Sequence, residues 1–529
     1  MHGTVVGALV SAAALALGVG RAATPGSLER GAAASGQWSA SQSRVGFDQQ
    51  LAREVLDAAR GAQPVLCAIA LEAVDSRHGR WGWGETPAGV ADSSGAARWA
   101  LGERPADAAL PVLLRGIEDP DPCVRAMAAR VVSRMKEGVA TAGLVRELRS
   151  AEPETRATAS VALGLSDDES ALTDLIETLR DRVPGVRAAA SWALGVIDDV
   201  RASLPLRRLL DDDASEVRAA AATALGSLQD QGVVQSLLQL LRSDPDERVR
   251  VAAAAALGRL EAKEAVPALS AALGERSTAL RRMAAWALGQ IEDAAAVPHL
   301  ARALDDGDED VREMSVWALG QIQEREAVEP LGDVLRDDEA APVRRMAAWA
   351  LGQIEDASAV EPLASALRSD RDGDVRRMCA WALGQIQAPG SVPGLAAAVS
   401  DASAAVRVMA VWALGQIESE GAVTALVGAL RDNSATVRER AAWALGQIES
   451  NAAVPGLTAA LHDAEASVRR MALWALGQIE SPSAYSAIAE ALRDADADVR
   501  GAAVRAIGRG GVYPMPMPMP MPMPRPFPR

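Results

Sequence analysis

A six-residue phrase, Trp-Ala-Leu-Gly-Gln-Ile, recurs along this chain, and its spacing constrains the fold more than any other feature of the sequence. Its glycine, or that of a close variant, falls at Gly164, Gly195, Gly226, Gly258, Gly289, Gly320, Gly352, Gly384, Gly415, Gly446, Gly477 and Gly508, always 31 or 32 residues apart. Extended backwards, the period lands on Ser133 and then on Gly102 within Trp99-Ala100-Leu101-Gly102. Such a period marks an array of small units, none able to bury its own apolar face, so that stacked neighbours make the core.

Each unit reads as two helices. The first is typified by Ala296-Val297-Pro298-His299-Leu300-Ala301-Arg302-Ala303-Leu304, with proline in the first turn, where an amide hydrogen has no helical partner to lose. An acidic turn follows. In the second, counted from Val343, apolar residues stand at positions 0, 3, 4, 7, 8 and 11 and so share one helix face. Only two Phe and two Tyr occur and β-branched runs are scarce, so an all-α chain is expected.

Helix pairs of this length, with Val-Arg, an acidic turn and Ala-Leu-Gly in each, resemble the HEAT-repeat family, in particular the short repeats of the phycobilisome-lyase type. The resemblance runs over roughly residues 90 to 510 and implies a right-handed α-α superhelix, a solenoid of about thirteen helix pairs whose second helices line a concave surface. The family includes lyase subunits that attach bilins, deoxyhypusine hydroxylases, DNA-repair glycosylases and scaffolds without chemistry, so function must be read from residues.

The repeat divides the chain. Residues 99–510 are the expected solenoid, preceded by a linker and helical cap over 24–98. Within that cap, amphipathic helices are expected between Asp48 and Asp75, interrupted near Pro64, followed by a loop, Gly79-Arg80-Trp81-Gly82-Trp83-Gly84, without repeat character. Residues 1–23 read as a signal peptide: an apolar run from Val5 to Gly20 precedes the small residues Ala22 and Ala23, although no Lys or Arg stands before it. An exported protein, periplasmic or extracellular, is expected. Residues 511–529 alternate Met and Pro, which forbids helix and favours an extended, disordered tail. The thioethers of Met515, Met517, Met519, Met521 and Met523 are soft ligands of the type that select Cu(I), which makes copper binding an alternative role.

Composition excludes several functions. A formal net charge of −16 opposes a phosphate backbone, so nucleic acid is not expected as a partner. Cys67, Cys123 and Cys379 are odd in number and far apart, which suits small buried hydrophobes better than a disulfide framework or metal knuckle. The four histidines, His2, His78, His299 and His462, are followed by Gly, Gly, Leu and Asp, so the His-Glu pairs that hold di-iron in deoxyhypusine hydroxylases cannot be carried over. No H-E-x-x-H, phosphate loop or nucleophile elbow is present, and neither enzyme nor cofactor is expected.

Two ladders remain. An arginine follows the valine of each repeat, as Arg312, Arg344, Arg376, Arg407, Arg438 and Arg469, and an acid precedes each by six residues, as Asp306, Asp338, Asp370, Asp401, Asp432 and Asp463. Glu275 is the acid of one repeat, and Ser150 replaces it in another. A turn carboxylate can meet orphan N–H groups at the next helix start while the arginine reaches acids of adjacent units, a structural ladder. The second ladder is Trp286, Trp317, Trp349, Trp381, Trp412, Trp443 and Trp474, interrupted upstream by Thr223 and Ala255. One turn later stand Gln290, Gln321, Gln353, Gln385, Gln416, Gln447 and Gln478, and one turn earlier, in several repeats, Arg282, Arg345, Arg377 and Arg470. These positions lie about 130° from the centre of the apolar face, on its flank. Two readings stand: a strip that binds a protein or peptide, or tryptophans that pack against the next repeat with their N–H groups satisfied locally.

Overall fold

The computed structural model of the protein describes residues 49–60, 106–136, 138–479 and 481–507. The expected signal segment, most of the expected cap region, the Gly-Trp loop, the Trp99 register and the Met/Pro tail lie outside the described residues. Among the described residues there are helices and no strands.

The chain divides into two compact units, one up to Ala265 and one from Val266. The first unit holds five pairs, whose second helices are Pro122–Val132, Pro153–Ser166, Pro184–Ile197, Ser215–Ser227 and Glu247–Arg259. The second unit holds eight, with second helices Thr278–Ile291, Glu309–Ile322, Ala341–Ile354, Gly373–Ile386, Ala404–Ile417, Ala435–Ile448, Ala466–Ile479 and Ala497–Ile507. The thirteen pairs among the described residues correspond to the registers from Ser133 to Gly508, and the Gly102 register lies outside them. Within each unit, second helices stack on second helices, and each first helix packs on its own partner.

One repeat shows why these residues form these elements. Asp293 accepts the Ala295 amide at 2.9 Å and starts a single 3-10 turn, Ala294–Ala296, that leads into the first helix Val297–Ala303 with Pro298 in its first turn. Asp308 caps the second helix by accepting the Val311 amide at 3.2 Å. In the equivalent helix Ala341–Ile354 the expected stripe is the core, with Val343, Ala347, Ala350 and Leu351 fully buried. The next residue, Glu355, adopts the left-handed conformation at φ 55°, as do acids or glutamines at the same place in other repeats. No glycine marks these helix ends, so the sequence gives no sign of the turn.

In the first unit the helix Gln49–Ala59 buries Ala52, Leu56 and Ala59 and packs on Leu110–Ile117 and Pro122–Val132. Its following residue, Arg60, pairs with Asp119 at 2.7 Å, filling from outside the array a place that a repeat arginine fills elsewhere. The cysteines correct the sequence reading. Cys379 is a fully buried thiol without a partner, its titration pushed up by burial, but Cys123 is disulfide-bonded. Separation in sequence does not limit separation in space, and the other sulfur lies outside the described residues.

Candidate functional site

The arginine ladder is built from one geometry used again and again. Arg344 Nε donates to Asp370 Oδ2 at 2.7 Å and Nη2 donates to Oδ1 at 3.0 Å, so the guanidinium grips the carboxylate of the next repeat with two bonds. Its Nη1 donates to the carbonyl oxygens of Asp338 and Glu339 at 2.9 and 3.1 Å, fixing the turn of its own repeat. Asp370 Oδ1 also accepts the Asp372 amide at 2.8 Å, at the start of the following helix. Three segments are thus tied by two side chains.

The same inter-repeat pair forms between Arg281 and Asp306, Arg312 and Asp338, Arg376 and Asp401, Arg407 and Asp432, Arg438 and Asp463, and Arg469 and Asp494. In the first unit it joins Arg156 to Asp181, Arg187 to Asp212 and Arg218 to Asp244. The Arg344 and Asp370 side chains are only 5% and 6% exposed, so removal from water is offset by charge-assisted bonds on both partners. Burial pushes the Asp370 carboxyl up, but the bonds from Arg344 and the Asp372 amide outweigh it and hold the group below the usual carboxylate range. Arg376 and Arg438 hold Asp401 and Asp463 low in the same way.

The tryptophans are placed deeper than their flank position suggests. Trp349 is 2% exposed, Trp317, Trp381 and Trp443 are also buried, and Trp286, Trp412 and Trp474 are half-buried. From Trp317 onward, each ring lies over the glycine of the preceding repeat. A Cβ on Gly320 would stand 2.7 Å from Cζ3 of Trp349, and one on Gly352 2.8 Å from Cζ3 of Trp381. Gly289, Gly384, Gly415 and Gly446 meet Trp317, Trp412, Trp443 and Trp474 alike. The glycine of the phrase therefore serves close approach between second helices, and the ring of the next repeat fills the space that it leaves. The ring bodies are interlayer packing.

What the packing leaves uncovered is polar. The seven indole N–H groups are not buried and form no hydrogen bond among the described residues, so the expected local satisfaction is absent. The seven glutamines are half-buried, or exposed in the case of Gln478, and their carboxamides likewise form no internal hydrogen bond. The arginines one turn earlier are differently placed: Arg282 bonds Asp310 and Arg377 bonds Asp374, each at 2.9 Å. Glu313 occupies that position in one repeat, where burial pushes its carboxyl up against a smaller lowering by Arg345. The first unit lacks the pattern, with Trp192, Thr223 and Ala255 at the indole position and Val196, Ser227 and Arg259 at the glutamine position. Among the described residues no three His, Cys, Asp or Glu side chains gather to hold a metal ion, and no helix is long and apolar enough to cross a membrane.

Comparison with known proteins agrees with the architecture. The family profile described as HEAT repeats matches residues 141–226, 234–313, 298–376, 360–445 and 423–508, and that of the PBS lyase HEAT-like repeat matches 217–243. Among solved structures, importin beta is similar at 17% identity, covering 75% of this chain and 66% of its own, with a TM-score of 0.51. Kap95p, in a structure concerned with the switch loops of RanGDP, is similar at 14% identity over 87% of this chain and 69% of its own, with a TM-score of 0.48. The complex of CpcE and CpcF of phycocyanin lyase from Nostoc sp. PCC7120 is similar at 24% identity over 42% of this chain and 92% of its own, with a TM-score of 0.29. At 17% identity the likeness to importin beta is one of fold alone. No curated protein matches the sequence.

Proposed function

Because the chain belongs to the HEAT-repeat family, we propose that it is a non-catalytic scaffold that binds an extended segment of another protein along the second helices of its second unit. The observation that carries this reading is the row of seven glutamine carboxamides without internal partners, each one turn from an indole N–H in the same condition. Unpaired donors and acceptors repeated at helix-stacking intervals suit a ligand with regularly spaced amides. Packed helices lie about 8–10 Å apart and extended chain advances about 3.3–3.6 Å per residue, so one repeat would serve roughly three residues of ligand.

The test acts on the glutamines, because the tryptophans carry the packing. Gln353→Ala, Gln385→Ala and Gln416→Ala together should leave the circular dichroism spectrum unchanged and abolish capture of a partner that the parent protein retains. Retention of the same partner by both proteins would refute the reading and send the search to the first helices and acidic turns.

We also infer that the protein is exported. The apolar run from Val5 to Gly20 supports this, and so does the disulfide at Cys123, since such bonds persist in oxidising compartments. Amino-terminal sequencing of protein from the extracytoplasmic fraction should begin just after the small residues at Ala22 and Ala23. Recovery of the intact amino terminus from the cytoplasm would overturn it.

A further inference from the structure

Ten aspartates of this chain sit in the same guanidinium cradle. Two cradles of the first unit have no aspartate: that of Arg250, whose register supplies Glu275 instead, and that of Arg125, whose register supplies no acid at all. Arg125, on the helix Pro122–Val132, holds the pose of the other rungs: its Nη1 donates to the carbonyl oxygens of Asp119 and Pro120 at 2.8 and 2.9 Å, as that of Arg344 does to Asp338 and Glu339. In the occupied rungs this pose turns Nε and Nη2 toward the acid of the next repeat. Here the residue at that place is Ser150.

Ser150 preserves the turn. Its Oγ accepts the Glu152 amide at 3.3 Å, as Asp370 accepts that of Asp372, and its carbonyl accepts Nη1 of Arg156 at 3.0 Å. Only the carboxylate is missing. Arg125 is 7% exposed, its Nε is buried without a hydrogen-bond partner, and its guanidinium forms no ion pair among the described residues. A cation removed from water without a counterion is unfavourable, and the planar fork of arginine fits a carboxylate with two parallel bonds.

We propose that the rung of Arg125 and Ser150 is a carboxylate-binding site, which takes from outside the chain the group that Asp supplies in the ten other rungs. The chain itself shows the ligand chemistry ten times over. The ligand chemistry is a carboxylate tip, carried either by a small free carboxylate or by the acidic side chain of a partner.

The experiment uses the full chain in 0.15 M sodium chloride with two probes, acetate by saturation-transfer NMR and a fluorescent hexaglutamate peptide by anisotropy. Saturable binding of a probe to the parent protein is expected, with its loss in Ser150→Asp, where the chain fills its own cradle, and in Arg125→Gln. Hexaglutamate at least tenfold tighter than acetate would identify an acidic segment as the ligand, and comparable affinities would identify a free carboxylate. Ser150→Asp reproduces the residue of the other rungs, so it should fold and show a higher thermal midpoint than the parent in carboxylate-free buffer. Should Arg125→Gln fail to fold, Ser150→Asp decides alone. Unchanged binding in Ser150→Asp, a lowered midpoint, or no binding of either probe to the parent would overturn the proposal.

Discussion

Replacing Gly320 with alanine tests whether the glycines of the repeat are there for packing. The added Cβ would stand 2.7 Å from Cζ3 of Trp349, 2.9 Å from the Ala350 Cβ and 3.0 Å from the Ala350 Cα. None of these atoms yields easily, since Trp349 is 2% exposed and Ala350 belongs to the backbone of the neighbouring helix. Overpacking of this kind costs about 1–3 kcal/mol, and the higher helix propensity of alanine returns up to about 1 kcal/mol, so a net loss of up to about 2 kcal/mol is expected. Gly428, in the first helix Val423–Ala429, has nothing within 4 Å of its would-be Cβ. There the same substitution should stabilise by up to about 1 kcal/mol. Urea unfolding followed by circular dichroism compares the two, and hydrogen exchange in the helices Glu309–Ile322 and Ala341–Ile354 localises the effect, because a repeat array need not unfold in one step. A double-mutant cycle adds a check, since Gly320→Ala should cost less in a Trp349→Ala background than alone. If Gly320→Ala proves as stable as Gly428→Ala, the glycine is not held by the ring and the packing argument fails.

Three further outcomes follow from the same contacts. Arg344→Ala leaves the Asp370 carboxylate largely buried without its partner and should cost roughly 3 kcal/mol in urea unfolding, whereas Arg344→Lys, lacking the fork, should recover only part of the loss. The rung carboxyls Asp370, Asp401 and Asp463 titrate lower folded than unfolded, so their contribution is complete above the unfolded value near pH ~4 and vanishes as pH falls through the folded values. An acid titration by circular dichroism should therefore show stability falling below about pH 4, less steeply in Arg344→Ala. Alkylation with mass detection should label Cys123 only after reduction and Cys379 only after unfolding; labelling of native, unreduced Cys123 would refute the disulfide.

The helix pairs and their core were legible because an apolar stripe is written in spacing along a single helix, and the Val343 face shows it. The ladders were legible as residue types at fixed places, but their partners were not. The six residues between Asp338 and Arg344 suggest a local pair, yet that arginine reaches only the backbone carbonyl of Asp338 and gives its fork to Asp370 in the next repeat. Tryptophan misleads for a related reason. On one helix its position is a flank, but in a stack the flank is the contact, and Trp349 closes over Gly320 of the preceding repeat. The glycine carried the signal: a residue that weakens helices, repeated in every register from Gly164 to Gly508, implies a neighbour that needs its missing side chain. The consequence reaches recognition. With ring bodies spent on stacking and most ladder arginines on carboxylates, the proposed ligands would meet the groups that folding leaves without partners, the glutamine amides and indole N–H edges of the second unit and the Nε of Arg125 in the first.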